Sequence, residues 1–372
     1  MKNKHKWYAI CFAPVALAAA AAVPFITLTS CSKKKEEEIV VDDITTSGTV
    51  VVLATGGTIA GAGEAGKETG YTPGSISAES LIASVPGIEE IAPIHAQQVC
   101  NINSDDVTSK TWIKLAKTIN EYSKNENVAG FVVLHGTDTM EETAYFLNLT
   151  VNTDKPVVIT GSMRPATAIS ADGPMNLYQS VVVAASEEAK GKGVLGVFSD
   201  SIYSARSMQK ESTFDVTAIS AGPMGAMGFV RNKEIFMYEQ SCKKHTKDSE
   251  FIDVLDSKTE LDDVAIVYFE ADANPAIIDW AAKNSYGIVV AGAGAGEFSE
   301  KFINELNKVD DEKPIVISSR IDSGVITQDS VLVKKAIAAN DLPPQKAAIL
   351  LRLALAKGWT SQEKLIEIFR KY

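Results

Sequence analysis

TVVVLATGGTIAG, residues 49–61, joins an uninterrupted apolar run to a turn that carries two threonines and two glycines. A strand that is apolar throughout is typical of a parallel sheet covered on both faces, and such sheets bind ligands beyond the carboxyl ends of their strands. Gly56 and Gly57 let the backbone turn sharply and approach a ligand, which makes Thr58 the first candidate nucleophile. Taken alone, the pattern also fits an ordinary strand-to-helix connection. It has neither a G-x-G-x-x-G fingerprint nor a P-loop lysine.

A second apolar run ends in a similar way. Residues 130–134 are apolar and are followed by His135-Gly136-Thr137-Asp138-Thr139-Met140-Glu141-Glu142. Thr139 and Glu142 have the spacing of a capping box, so the sequence predicts that a helix begins there and leaves Thr137 and Asp138 in the preceding loop. Two strands thus end in loops that carry threonine, which an ordinary connection does not explain.

Both segments resemble the paired signature motifs of bacterial type II L-asparaginases and glutaminase-asparaginases. The resemblance covers nearly the whole chain from residue 49 onward, through residues 155–158, 161–165, 170–177, 318–320 and 345–347. It implies a two-domain α/β fold of the asparaginase type, with a larger N-terminal domain built on a parallel, flavodoxin-like sheet and a smaller C-terminal α/β domain.

The resemblance also implies catalytic roles for particular residues. Thr58 would attack the amide carbon to form an acyl-enzyme, and Tyr71 and Lys210 would handle protons. Thr137 would orient the substrate or the hydrolytic water. Read without the resemblance, Tyr71 is a tyrosine that pins a glycine-rich loop and Lys210 is a solvated charge. A lysine acts as a base only where burial or nearby cations lower its pKa, which a sequence does not show.

Substrate recognition follows from the same resemblance. An amino acid carries an ammonium and a carboxylate, so its site needs a fixed anion and several donors. Asp138 matches the ammonium-binding aspartate and Ser104 the carboxylate-binding serine, while Asp105 and Ser162 complete the implied substrate-binding set. The chain departs from the commonest pattern at three positions, where glutamine, asparagine and glutamate are replaced by Asp105, Asp272 and Val331. The choice between asparagine and glutamine therefore stays open.

An export signal is indicated at the amino end. Lys2, Lys4 and Lys6 precede an apolar run from residue 7 to 28, and Cys31 follows shortly after. This order is typical of a signal peptide, and its ending resembles the lipobox of bacterial lipoproteins, which implies cleavage before Cys31 and acylation of that cysteine. A plain signal peptide and a single spanning helix are the alternatives. The charged residues that follow favour a flexible tether to residue 47.

The domain organisation predicted from these patterns is a signal peptide at 1–30, a tether at 31–47, a catalytic domain at 48–238, a linker at 239–263 and a C-terminal domain at 264–372. Further strands are expected at 157–160, 194–198, 264–269, 288–291 and 315–318. Helices are expected at 111–122, 142–149, 177–190, 275–283, 301–308, 345–357 and 360–370.

Composition limits the other functions. The net charge of −11 disfavours nucleic-acid binding, and removal of residues 1–30 takes away three lysines and makes the chain more acidic still. The histidines are scattered without ligand spacing, so neither a metal nor another cofactor is predicted. Cys100 and Cys242 are expected to be free thiols. The resemblance implies L-asparagine, and L-glutamine as a second possibility, as small-molecule partners, and a homotetramer built as a dimer of dimers. The lipobox-like ending implies a membrane contact through Cys31.

The resemblance and the amino-terminal pattern therefore favour a lipid-anchored L-asparaginase that faces the periplasm or the cell surface. A glutaminase-asparaginase that prefers glutamine is the rival enzyme. A lipoprotein that binds amino acids without turnover is the alternative from another class, and it would not need Thr58, Thr137, Asp138 and Lys210 together. The asparaginase-like subunit of a tRNA-dependent amidotransferase conflicts with export and with the acidic charge.

Overall fold

Two large β-sheets organise the protein in a computed structural model, which describes residues 39–64, 72 and 74–372. In chain order the strands of the described part are β1 (Thr49–Gly56), β2 (Ile94–Ile102), β3 (Val128–Leu134), β4 (Val157–Thr160), β5 (Val194–Phe198), β6 (Ser201–Ser204), β7 (Gln209–Lys210), β8 (Ile219–Ser220), β9 (Gly228–Arg231), β10 (Glu234–Met237), β11 (Val264–Tyr268), β12 (Gly287–Gly292), β13 (Ile315–Ser319) and β14 (Ile337–Ala338). The helices are α1 (Ala78–Ala83), α2 (Ser109–Ser123), α3 (Met140–Thr150), α4 (Gly173–Ala184), α5 (Val254–Ser257), α6 (Ala276–Asn284), α7 (Glu300–Leu306), α8 (Pro344–Ala356) and α9 (Gln362–Lys371).

The larger sheet has the strand order β10-β9-β6-β5-β4-β3-β1-β2. From β2 to β5 the neighbours run parallel in the flavodoxin-like order 2-1-3-4-5. Beyond β5 the strands are antiparallel, so the sheet is mixed, and its parallel part is the flavodoxin-like sheet expected from the sequence. The reversal follows from Ser199 and Asp200, whose φ angles of 46° and 69° make a two-residue hairpin turn after β5.

Strand β1 lies at the centre of the larger domain, and all its residues are buried. Its alternate side chains enter two different cores, because successive residues of a strand face opposite sides. Val51 and Leu53 belong to one core with residues of α2, α3 and α8, whereas Val50 and Val52 belong to another with residues of α1 and α4. The order of connection reverses between β1 and β3, which is where open α/β sheets bind ligands.

The smaller sheet is parallel throughout, in the order β11-β12-β13-β14. Helices α6 and α7 cover one face, with Ile278 and Phe302 in that core. Helix α8 contacts β11, β12 and β13, and it also packs against α3 of the larger domain. The two-domain α/β architecture expected from the sequence is present, and α8 links its two halves.

Several local predictions are borne out and others need correction. Strands β4 and β5 have the predicted bounds, whereas the helix expected at 177–190 is α4 and ends at Ala184. Helix α3 begins where the capping pattern placed it, but the capping box itself was wrong. The Thr139 hydroxyl donates instead to the Ser104 carbonyl at 2.6 Å, because that carbonyl lies beside it in the folded chain.

The described end of the predicted tether packs against the larger domain. Ile44 is buried, and its carbonyl accepts hydrogen bonds from the side-chain amides of Asn125 and Asn127. The Asp42 amide donates to the Tyr122 hydroxyl at 3.2 Å. Residues 39–47 are therefore packed on the larger domain and do not form a free tether. The buried Ile44 side chain anchors them, and the charge pattern of the sequence did not indicate this.

The predicted linker also contains packed residues, since Phe251 and Leu255 are fully or almost fully buried. Cys100 and Cys242 are free thiols. None of the described helices is long and apolar enough to cross a bilayer. The predicted signal segment and Cys31 lie outside the described residues.

Candidate active site

The loops that follow β1 and β3 touch each other through their glycines. Gly57 has a φ of 80°, and a Cβ placed on it would lie 2.4 Å from both the amide nitrogen and the Cα of Gly136. At that distance a side chain has no room, so the two loops approach this closely only because both residues are glycine. The Thr55 hydroxyl donates to the Leu134 carbonyl at 2.9 Å and ties the two strand ends together. Thr58 is the next residue after Gly57.

Lys210 lies between the two polar residues of the β3 loop. Its Nζ donates to Thr137 Oγ1 at 2.9 Å and to Asp138 Oδ1 at 2.6 Å. The Lys210 side chain is 17% exposed and that of Asp138 is 69% exposed, so the lysine is shielded while the carboxylate remains open to a ligand. A lysine ammonium in contact with a hydroxyl group can act as a general acid, and the neutral amine that remains after proton loss can act as a general base.

Ser104 and Asp105 reach the same edge of the sheet from β2. Ser104 starts a short 3₁₀ turn, Ser104–Asp106, and is buried against the β3 loop. A Cβ on Gly136 would lie only 2.7 Å from Ser104 Oγ, which shows how closely the serine hydroxyl approaches that loop. Asp105 is exposed. The structure thus brings Ser104 to the loop of Thr137 and Asp138.

Ser162 follows β4 in a third converging loop. A Cβ on the preceding Gly161 would lie 2.4 Å from the His135 carbonyl, so this loop contacts the β3 loop directly. Ser162 is fully buried and its hydroxyl donates to the Arg164 carbonyl at 2.7 Å. With its hydrogen used inside its own loop, Ser162 can offer a substrate only its oxygen lone pairs.

The remaining predicted residues lie elsewhere. Tyr71 falls outside the described residues. Asp272 is in an exposed turn after β11, with a φ of 60°, and Val331 follows the short turn Gln328–Ser330 beside the smaller sheet. In the described part of the chain, no group of three His, Cys, Asp or Glu side chains is arranged to hold a metal ion.

His135 has a structural role that was missed from the sequence, where it counted only as one of several scattered histidines. His135 Nδ1 lies 2.7 Å from the Gly136 carbonyl oxygen and Nε2 lies 2.9 Å from Thr143 Oγ1. The Trp112 Nε1–H donates to the same Thr143 oxygen at 2.8 Å. Because a carbonyl only accepts, Nδ1 carries the hydrogen and Nε2 accepts from the threonine hydroxyl.

This chain of hydrogen bonds fixes the peptide that joins Gly136 to Thr137 from behind the site. Burial lowers the pKa of His135 to about 4, so the imidazole is neutral at physiological pH and keeps one tautomer. A histidine placed between an apolar strand and a Gly-Thr pair is the sequence signal that could have pointed to it.

Two family models match this chain. The model described as "Asparaginase, N-terminal" matches residues 49–243, and the model described as "Glutaminase/Asparaginase C-terminal domain" matches residues 263–369. Together they cover most of the described residues.

Similar proteins carry matching names. L-asparaginase 2 of Bacillus subtilis is 44% identical, covering 86% of each chain. The probable periplasmic L-asparaginase of Haemophilus influenzae is 40% identical, covering 85% of this chain and 90% of its own. The glutaminase-asparaginase of Acinetobacter glutaminasificans is 41% identical, covering 84% of this chain and 96% of its own. A crystal structure of the probable cytoplasmic L-asparaginase from Campylobacter jejuni superposes with a TM-score of 0.82 at 41% identity, covering 87% of this chain and 99% of that one.

Proposed function

The chain belongs to the asparaginase family, and on that premise we propose a function and a mechanism for it. The protein is an L-asparaginase, an amidohydrolase that converts L-asparagine to L-aspartate and ammonia. The observation that carries the mechanism is the Lys210 amine, which donates to the Thr137 hydroxyl and to the Asp138 carboxylate beside the loop of Thr58.

The proposed reaction begins with attack by Thr58. Its Oγ forms a bond to the amide carbon of the substrate, the carbon–nitrogen bond breaks, and ammonia leaves with a proton supplied by the site. Water then attacks the resulting ester and regenerates the threonine. Tyr71 and Lys210 manage the proton transfers, and Thr137 orients the substrate or the water. Backbone N–H groups of the two touching loops would stabilise the oxyanion.

The proposed binding mode uses opposite charges at the two ends of the amino acid. Asp138 binds the α-ammonium through its exposed carboxylate, and Asp105 adds a second negative charge nearby. Ser104 binds the α-carboxylate, and Ser162 contributes as an acceptor. The exposure of Asp138 supports this assignment, because its carboxylate keeps an accessible face while one oxygen accepts from Lys210.

L-glutamine is the second candidate substrate, since a relative that is 41% identical is named a glutaminase-asparaginase. The two substrates differ by one methylene, which a pocket distinguishes by only about 1–3 kcal/mol. A non-catalytic amino-acid-binding lipoprotein remains the alternative from another class.

Ammonia release from L-asparagine and L-glutamine, measured side by side, tests this proposal. The chain should start at Ser32, because residues 39–47 pack on the body and a cut at residue 48 would remove Ile44. We expect faster release from asparagine, loss of release in Thr58→Ala, and unchanged release in Thr327→Ala, an exposed threonine on the smaller domain. Binding of either amino acid without release would overturn the enzyme assignment.

The proposed location is outside the cytoplasm, at the membrane, through a lipid on Cys31. The basic, apolar and small-residue order of residues 1–31 supports this proposal. Relatives differ in this respect, because one is named periplasmic and the solved neighbour is named cytoplasmic. Metabolic labelling with a palmitate analogue should follow the wild-type chain into the membrane fraction and be lost in Cys31→Ala. Labelling that persists in the variant would contradict the anchor.

The proposed assembly is a homotetramer, built as a dimer of dimers. Large apolar side chains on the smaller domain are exposed in the single chain, including Tyr268, Trp280 and Tyr286, and supply surface for such contacts. Sedimentation velocity on the chain from Ser32 should give a tetramer. A monomer at micromolar concentration would contradict this part of the proposal.

A further inference from the structure

Lys210 is held at its backbone as well as at its amine. Its N–H donates to Glu141 Oε2 at 2.9 Å, and Glu141 is only 7% exposed. Glu141 belongs to the first turn of α3, directly after the loop of Thr137 and Asp138. The buried Glu141 carboxylate therefore connects β7, which carries Lys210, to α3. Helix α3 directly follows the loop of Thr137 and Asp138, the two residues that Lys210 contacts.

The second oxygen of the same carboxylate is used by the smaller domain. Gln345, in the first turn of α8, donates from its Nε2 to Glu141 Oε1. A carboxylate only accepts hydrogen bonds, so it satisfies both donors at once, whereas an amide in its place would satisfy only one.

Lys346, the next residue of α8, binds the backbone segment that precedes Lys210. Its side chain is fully buried, and its Nζ donates to three backbone carbonyls, those of Ala205 at 3.1 Å, Arg206 at 2.9 Å and Met208 at 2.5 Å. These carbonyls lie on the segment that leads from β6 to β7, the strand of Lys210. An ammonium has three donors, so Lys346 has no hydrogen left for a ligand and acts only on the backbone.

We infer that Glu141, Gln345 and Lys346 form a clamp, named here the α8 clamp, that positions Lys210 against Thr137 and Asp138. These are positioning residues, because the contacts that place them are with Lys210, its backbone segment and each other. The inference rests on the proposed function, since it assigns Lys210 a part in proton transfer. It gives the smaller domain a role in catalysis within its own chain, through a helix that packs on α3.

A swap of the carboxylate and the amide tests the clamp. Glu141→Gln leaves one of two donors without an acceptor, and Gln345→Glu sets two carboxylates against each other. The double variant restores one acceptor for the Lys210 N–H and one donor–acceptor pair between positions 141 and 345. Because a displacement of about 1 Å can cost about 100-fold in rate, we expect each single variant to lose about 10- to 100-fold in kcat. The double variant should recover to within about threefold of wild type.

A lysine pair supplies the matched control. Lys346→Met should lower kcat, whereas Lys313→Met should not, although Lys313 also donates to two backbone carbonyls of the smaller domain, those of Ala282 and Ser285. Thermal unfolding of every variant shows whether it folds. If Glu141→Gln does not fold, Gln345→Ala removes only the donor of the pair and should still lower kcat by several-fold.

Competitive labelling of Lys210 with an amine-reactive reagent, read by peptide mass spectrometry, keeps this test separate from the proposed function. The variants that break the clamp should label Lys210 faster than wild type does, whether or not the protein releases ammonia. An inactive wild type would overturn the proposed function alone. Folded single variants with wild-type kcat and labelling, or a double variant as impaired as the single ones, would overturn the clamp.

Discussion

Gly57→Ala is the substitution whose effect follows most directly from the structure. Gly57 has a φ of 80° and a ψ of −172°, a backbone conformation that is almost confined to glycine. The added methyl group would stand 2.4 Å from the Gly136 nitrogen and Cα, where ordinary contacts begin at about 3.4 Å. The loops of Thr58 and Thr137 would therefore have to separate by about 1 Å.

The cost has two parts. Holding alanine in this backbone conformation costs about 1–3 kcal/mol, and relieving the overlap costs about a further 1–3 kcal/mol. If the backbone changes conformation to escape the strain, the loops move, and a shift of about 1 Å between reacting groups lowers kcat about 100-fold. We therefore expect Gly57→Ala to lose both stability, by about 2–6 kcal/mol, and most of its activity.

Gly48→Ala is the control, because Gly48 has the same φ of 80° and an added methyl group there would have nothing within 4 Å. It should lose about 1 kcal/mol of stability and keep its activity, since it lies at the opposite end of β1. Denaturant unfolding and ammonia release from L-asparagine measure both effects. A Gly57→Ala protein with stability and kcat equal to those of Gly48→Ala would refute the idea that the two loops must touch.

Two further substitutions test the surroundings of the site. Burial and then the Glu141 charge raise the pKa of Glu142 from 4.5 to about 7. The folded protein therefore holds this proton more tightly than the unfolded chain does. The contribution of protonated Glu142 to the free energy of unfolding is complete below pH 4.5 and is lost as the pH rises through 7. Glu142→Gln should thus gain about 1–3 kcal/mol relative to wild type between pH 4.5 and 8, and a pH-independent difference in unfolding free energy would contradict this. Thr143→Val leaves the Trp112 Nε1–H and His135 Nε2 without their partner, and it should cost about 2–4 kcal/mol and lower kcat. Serine at position 143 should restore both, and its failure to do so would argue against the hydrogen-bond chain.

Much of the fold was predictable because its central strands contain uninterrupted apolar runs. The runs at 50–54 and 130–134 pointed to buried parallel strands, and they are β1 and β3. The polar residues just past each run are the ones brought together at the sheet edge, since parallel strands place their carboxyl ends side by side. Thr137 and Asp138 were candidates in this way, whereas Ser104 was a candidate by resemblance alone.

What the sequence did not reveal depends on contacts between distant residues. Glu141 and Gln345 are 204 positions apart, and no local pattern indicates that one accepts from the other. Thr139 has the spacing of a helix cap, yet its hydroxyl donates to the Ser104 carbonyl, which only the folded chain places there. Local propensity gives way in such cases to tertiary packing.

The most direct test of the proposed mechanism is to locate the acyl group. The chain from Ser32 would be mixed with L-asparagine, quenched in acid within the first turnover and mapped by peptide mass spectrometry. We predict an aspartyl ester on Thr58, and none in Thr58→Ala. An ester on Thr137, or full turnover by Thr58→Ala, would contradict the mechanism.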